Sequence, residues 1–167
     1  MIKKLSTRNS QPITGRGFTL IELLIVISII GTLASLILIS FTGIQKSSRD
    51  TKRKSDLKQY QTALEQFANL NNGFFPSRGS VYASVTLCSD LGLSACPEDP
   101  RNVRDATFVY QYQSDGLGAG TTDATQYVLW GLLEKPSTST HWVLCSNGKV
   151  GEATSGIPPT GGACPLL

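Results

Sequence analysis

The chain contains one histidine, His141, beside Trp142 in a stretch that reads as a strand. A Ser-His-Asp set would have to be built on it, and a strand-face histidine is the economical reading. No glycine-rich loop carrying a lysine is present to cradle phosphate. No cysteine pair has the short C-x-x-C spacing of common zinc sites. Between Phe18 and Phe41 there is no lysine or arginine, and Glu22 is the one charged residue. Between Gln45 and Asn71 there is no proline or glycine. The first three absences leave no converging acid–base, metal or nucleotide chemistry, so neither an enzyme nor a cofactor is expected. The last two leave room for a long, uninterrupted helix.

Charge is unevenly placed. The net is +3, but Lys3, Lys4, Arg8 and Arg16 all precede Phe18 with no acid among them. Without those four, 11 basic residues face 12 acidic ones, a net of −1. A basic nucleic-acid-binding surface is therefore not supported, and no nucleic-acid partner is expected. Residues 1–17 hold Pro12, Gly15 and Gly17, show no helical or strand period, and read as a leader.

Of the 19 residues from Leu23 to Phe41, 14 are apolar and none is charged. As a helix this run spans ~28 Å, close to the ~30 Å of bilayer hydrocarbon. Its small residues Gly31, Thr32, Ala34 and Ser35 would let helices approach closely. The helical pattern then continues. Leu57, Tyr60, Leu64, Phe67 and Ala68 recur at three- and four-residue steps and make one apolar stripe. Asp50 with Arg53 or Lys54, and Lys52 with Asp56, are expected to pair on the polar face. Asn72-Gly73 and Pro76 stop the helix.

The stripe needs a cover. Thr107 to Tyr112 places Phe108, Tyr110 and Tyr112 on one face, Asp115-Gly116 marks a turn, and Gln126–Leu133 and His141–Ser146 read as strands. Asn147-Gly148 is a hairpin turn into a short strand at Lys149-Val150. Tyr110, Tyr112, Tyr127, Trp130 and Trp142 at strand spacing are expected in the core. Residues 77–106 look irregular, with a short helix near Ser89–Leu93. The expected fold is α+β: a long N-terminal helix, transmembrane in its first half and amphipathic in its second, packed against a small antiparallel sheet. The segments are 1–17, 18–41, 42–76 (the amphipathic helix and exit loop) and 77–167 (the C-terminal loop and sheet).

Glu22 lies one helical turn after Phe18. A carboxylate in a membrane helix costs roughly 2.5–3.5 kcal/mol at the bilayer centre and less near an end, so it wants a partner. Cutting the chain before Phe18 would create one, a free α-amine. Pairing within one helix is geometrically possible. An ordinary secretory signal has a shorter apolar run, and its removal would leave the helix half-formed. A simple single-pass anchor explains neither Gly17-Phe18 nor Glu22.

The stretch Arg16-Gly17-Phe18-Thr19-Leu20-Ile21-Glu22-Leu23-Leu24-Ile25-Val26-Ile27-Ser28-Ile29-Ile30-Gly31 closely resembles the processing and methylation signature of type IV prepilins and type II secretion pseudopilins. The Asp50–Tyr60 helix, the Asn72-Gly73-Phe74-Phe75-Pro76 exit and the terminal hairpin look like pseudopilins of the G type. The resemblance implies cleavage between Gly17 and Phe18, N-methylation of Phe18, and pairing of its amine with Glu22 between neighbouring subunits. The implied partners are other copies of the chain in a filament, a prepilin peptidase, an inner-membrane assembly platform and membrane lipid. The implied location is the cytoplasmic membrane as a single-pass precursor, then an extracellular or periplasmic filament. Lys46, Arg49, Lys52, Arg53, Lys54 and Lys58 follow the apolar run, so charge counting alone does not place the leader inside; the family's peptidase does. Many family members carry a proline where this chain has Ile39, and here only Gly31 lowers helix propensity within the span.

Three roles fit this resemblance. The first is a structural pilin of a type IV pilus-like filament. The second is a pseudopilin of a type II secretion or DNA-uptake system. The third is a minor tip pilin with an adhesin or DNA-binding role, against which the presence of Glu22 argues. Asp115 to Asp123 faintly resembles the calcium loop of G-type pseudopilins, but two acids are few for a hard cation, and a plain glycine-rich turn is the simpler reading.

Cys88, Cys96, Cys145 and Cys164 all lie beyond the apolar segment, and an even count there favours disulfides in an oxidising compartment. Three pairings are possible. The nearest-neighbour one, Cys88–Cys96 with Cys145–Cys164, is expected: the first closes a compact loop, and the second pins a tail rich in glycine and proline, as the C-terminal loop is pinned in many pilins. Free thiols and mixed pairing remain the alternatives.

Overall fold

A computed structural model describes residues 17–116 and 118–166, without the side chains of 36–40. The expected leader, apart from Gly17, lies outside the described residues. The chain divides between Phe41 and Thr42 into two compact units.

Helix α1 is assigned over Leu20–Leu70. It starts two residues after Phe18, where the expected segment 18–41 begins, because Thr19 caps it. Its far end is closed by a Schellman-type turn: the Gly73 amide donates to the Ala68 carbonyl at 2.8 Å, with Asn72 at φ 56° and Gly73 at φ 86°. A β-branched residue could not hold either conformation cheaply. In the first unit, Leu23 through Ile27 are each at least 50% exposed. Five consecutive positions cover every direction around the axis, so this part of α1 is bare on all sides. Ser28, Thr32 and Ser35 donate back to the carbonyls of Ile25, Ile29 and Thr32 at 2.7–2.8 Å, so their hydroxyls need no outside partner. Among the described residues no helix is long and apolar enough to cross a membrane; side chains 36–40 of the apolar run are not among those described.

The second unit is the head. A five-stranded antiparallel sheet has the spatial order β2 (Val81–Tyr82), β3 (Tyr110–Ser114), β5 (Tyr127–Leu132), β6 (His141–Cys145) and β7 (Val150–Ala153). A separate antiparallel pair joins β1 (Phe75–Arg78) to β4 (Ala119–Ala124). Between β2 and β3 the chain makes a π-helical turn over Ala83–Leu87, which runs into one α-turn at Cys88–Asp90. Residues 77–106, expected to be irregular apart from a short helix near Ser89–Leu93, thus hold the end of β1, all of β2 and this turn, whose α-helical part at Cys88–Asp90 overlaps the expected helix. Pro76 removes a ladder donor and is tolerated because β1 has only one strand partner. β4, expected as part of a glycine-rich turn, has almost no bulky residue to show a strand period.

Leu57, Tyr60, Leu64 and Ala68 of α1 are buried against Tyr110, Tyr112, Tyr127, Leu129 and Leu144 of the sheet. Phe67, expected in this stripe, is only half-buried. Tyrosine dominates the interface, and each buried ring finds a partner for its hydroxyl. Tyr60 donates to the Pro97 carbonyl, Tyr110 to Asp56, Tyr112 to the Pro76 carbonyl and Tyr127 to Glu65, at 2.7–3.1 Å. Register alternation sends Val128, Trp130, Val143 and Cys145 to the other face, where Ile157, Cys164 and Leu166 of the C-terminal tail cover them. Trp130 and Trp142, expected together in one core, therefore lie on opposite faces. Both faces being covered explains why β5 is buried from Tyr127 through Gly131. Cys88 is bridged to Cys96 and Cys145 to Cys164, with Cα atoms 5.8 and 5.6 Å apart.

Leu64→Asp places an unpaired charge where Leu64 is fully buried, and should cost the head several kcal/mol. Phe67→Asp, at a half-buried site, should cost clearly less. Chemical denaturation of a 42–167 fragment measures both; equal, small effects would mean that the stripe is not core.

Candidate processing and assembly site

Gly17 and Phe18 precede the first helical turn, and Phe18 is 91% exposed. Thr19 and Glu22 form a capping box. The Glu22 carboxylate accepts from the Thr19 amide at 2.9 Å and from the Thr19 hydroxyl at 2.8 Å, while the Glu22 amide donates to Thr19 Oγ1 at 3.3 Å. Thr19-x-x-Glu22 carries the spacing signal for this arrangement, which differs from the cationic partner expected for Glu22. The acid is thus held within its own helix end, in a form that leaves the carboxylate beside Phe18. A backbone cut between Gly17 and Phe18 would release an amine adjacent to it.

The second polar constellation lies inside the head. Arg53 is fully buried. Its guanidinium meets Asp99 at 2.6 and 2.9 Å, Asp50 at 2.7 Å and Glu134 at 2.7 Å. Arg49 closes a two-pronged pair on Glu134 with both contacts at 2.7 Å. Arg101 adds a longer contact to Glu134, and its backbone amide caps Asp99. The Asp50 carboxylate also accepts the backbone amides of Glu134 and Lys135. Phe108 sits between the guanidiniums of Arg53 and Arg101, 4.7 and 4.4 Å from its ring centre. Three arginines therefore face three acids, and among the described residues no buried side-chain polar atom lacks a partner.

This corrects the expectation of a solvated polar face. Asp50 does pair with Arg53, and Lys52 with Asp56 at 2.6 Å, but Asp50, Arg53 and Asp56 are buried. Lys54 reaches Glu152 and stacks over Trp142. The basic run after the apolar segment is thus largely spent on internal pairs of the head. Phe108, expected on a strand, instead precedes β3 and serves this cluster.

Asp115 and Asp123 do not converge on a cation site. Asp115 accepts from the Thr125 amide and hydroxyl and from the Gln126 amide at 2.6–2.9 Å. Burial acts against its charge, but those hydrogen bonds win and hold its carboxyl below the ordinary range. Asp123 is exposed and accepts from Thr121. Among the described residues no group of three or more His, Cys, Asp or Glu could hold a metal ion. His141 is half-buried at the start of β6, and burial pushes its pKa down.

Residues 15–38 match the family model of the prokaryotic N-terminal methylation motif. The type IV major pilin protein PilA of Myxococcus xanthus is 40% identical over 76 residues, which is 40% of this chain and 34% of that protein. The type II secretion system core protein G of Aeromonas hydrophila is 31% identical over 61% of this chain and 67% of that protein. The core protein G of Klebsiella pneumoniae is 39% identical over 62% of this chain and 70% of that protein. The chain thus spans about a third of the length of the pilin and about two thirds of the secretion proteins. No solved structure matches the chain.

The hydrogen bonds from Arg49, then those from Arg53, outweigh burial and hold the Glu134 carboxyl at about 2. A depressed folded-state pKa gives stability that is complete above the unfolded value and is lost as pH falls towards the folded one. The window for Glu134 is therefore between about pH 4.3 and about 2. Glu134→Gln should destabilise the head at neutral pH by leaving buried arginines short of charge. The gap between wild type and variant should then narrow by roughly 3 kcal/mol across that window. Denaturant titrations at a series of pH values measure it; a gap independent of pH would mean that Glu134 is not ionised by this network.

Proposed function

The chain belongs to the type IV prepilin and G-type pseudopilin family, and from that premise we propose that it is a structural subunit of a type IV pilus-like filament. It is made as a single-pass membrane precursor, cut between Gly17 and Phe18 by a prepilin peptidase, N-methylated on Phe18, and passed by an inner-membrane assembly platform into an extracellular or periplasmic filament. The observation that carries this reading is the exposure of α1 on every side from Leu23 to Ile27 behind a Thr19–Glu22 cap. Such a surface belongs in lipid or among like helices. The segment 18–41 serves as membrane helix first and filament core afterwards. Residues 42–167 form the exposed head, and its two disulfides suit an oxidising compartment.

Glu22 takes its partners in turn. In the precursor its carboxylate caps α1; after cleavage the Phe18 amine of a neighbouring subunit offers it a charged partner in a dry setting. A second reading, a pseudopilin of a secretion or DNA-uptake system, is favoured by the relatives called core protein G. Filament length and the neighbouring genes separate the two.

N-terminal mass analysis of filament protein should give a chain beginning at methylated Phe18; any other first residue refutes the processing step. Glu22→Ala should be processed and remain in the membrane, with filament yield reduced at least tenfold after shearing and fractionation. Glu22→Gln separates the two roles, since glutamine keeps the capping box but not the charge. Normal yield from the glutamine variant would show that the cap, and not the charge pair, matters.

A further inference from the structure

The C-terminal tail is built into the head as a cover. Ile157, Cys164 and Leu166 lie on Val128, Trp130, Val143 and Ala153, an apolar patch facing away from α1. The Lys149 ammonium reaches the Leu166 carbonyl at 3.4 Å. Gly162 lies so close to the Ser114–Asp115 and Gln126 backbone that a Cβ would approach within 2.8 Å, and its φ is +73°. Between Ser155 and Leu166 the tail has no strand pairing of its own. One covalent link fixes it, Cys164 to Cys145.

We propose that the Cys145–Cys164 bridge is a redox-sensitive latch: oxidised, it holds the tail over the outer face of the sheet, and reduced, it lets the tail lift and bares Val128, Trp130 and Val143 without unfolding the head. The two bridges differ in what they hold. The Cys88–Cys96 bridge closes a local loop over eight positions. The Cys145–Cys164 bridge spans 19 positions and fixes a segment whose other contacts are a few apolar side chains, one close glycine and the long Lys149–Leu166 hydrogen bond. The sheet below does not depend on the tail for its ladder, since β5, β6 and β7 pair with one another. Its other face keeps α1 and the tyrosine core.

Exposure sets the direction of attack. Cys145 is buried while Cys164 is half-exposed. A dithiol reductant therefore reaches Cys164 Sγ first; its thiolate forms a mixed disulfide there as the bond to Cys145 breaks, and Cys145 leaves as a thiolate. The second thiol of the reductant then displaces Cys164. Two cysteines are reduced and protonated, and the reductant is oxidised to its cyclic disulfide. Closing the latch is the reverse exchange with a disulfide oxidant. A head that has not met an oxidant would display a bare apolar face, and one that has would not.

The test uses the full chain in detergent with Trp142→Phe, which leaves Trp130 as the single tryptophan. Iodide quenching of Trp130 is compared for the oxidised protein, the dithiothreitol-reduced protein, Cys145→Ser/Cys164→Ser and Cys88→Ser/Cys96→Ser, with far-UV circular dichroism on each. The latch predicts a severalfold rise in quenching for the reduced protein and for Cys145→Ser/Cys164→Ser, little change for Cys88→Ser/Cys96→Ser, and unchanged dichroism in all. Gly162→Val in the oxidised protein should give a partial rise, because it lifts the tail beside an intact bridge. Unchanged quenching in protein whose thiols are shown to be free overturns the proposal. So does a rise accompanied by loss of helix and sheet, since the bridge would then be a requirement of the fold. Neither outcome depends on whether the chain enters filaments.

Discussion

An apolar helix surface cannot rest in water, and a charged one cannot rest in hydrocarbon. α1 carries both along one stretch of sequence. Its first unit presents leucine and isoleucine in every direction, and the described part of that unit offers no cover. Its second unit buries one stripe under a sheet. The fold of the head, the polarity of the helix and the case for assembly all follow from where that change falls, between Phe41 and Thr42.

The head manages its half of the helix in an unusual way. A short amphipathic helix usually buries only apolar side chains, but here Arg53 is as buried as Leu57. A buried guanidinium is tolerable only if every donor is met by a charged acceptor. Asp50, Asp99 and Glu134 supply those acceptors from three separate places: α1 itself, the loop before β3 and the loop after β5. The cluster therefore ties to α1 two loops that have no ladder of their own. Removing Arg53 would take the buried cationic partner from Asp50 and Asp99, leaving them backbone amides alone, and would leave Glu134 to Arg49 and Arg101, so its contribution exceeds what a surface pair is worth. The tyrosine core follows the same rule at lower stakes, with each buried hydroxyl directed at a carbonyl or a carboxylate.

Much of this was legible in the chain. The 3.6-residue stripe of Leu57, Tyr60 and Leu64 and the alternation of Tyr110 and Tyr112 in β3 are local periodic signals that need no distant partner to be seen. Asn147-Gly148 and Asn72-Gly73 carry their own conformational requirements. What was not legible depended on partners far along the sequence. Arg53 looks like a surface residue because its acceptors Asp99 and Glu134 lie 46 and more positions away. β4, Ala119–Ala124, has no alternating bulk and becomes a strand only because β1 provides a ladder. The tail's cover over Trp130 has no period at all; only Cys164 marked it. At the N-terminal end the motif is plain, and the Thr19–Glu22 cap is marked by the place of the acid three residues after a threonine, a signal separate from its charge.

The proposed function requires the bare helix to find its cover in copies of itself. Electron cryo-microscopy of filaments sheared from cells expressing the chain tests it most directly. Filaments should be absent from cells without the protein, and those present should show a density core of bundled helices fitted by residues 18–41, with heads fitted by 42–167 on the outside. Monomeric protein that stays in the membrane under assembly conditions, or filaments whose core is formed by the heads, would contradict it.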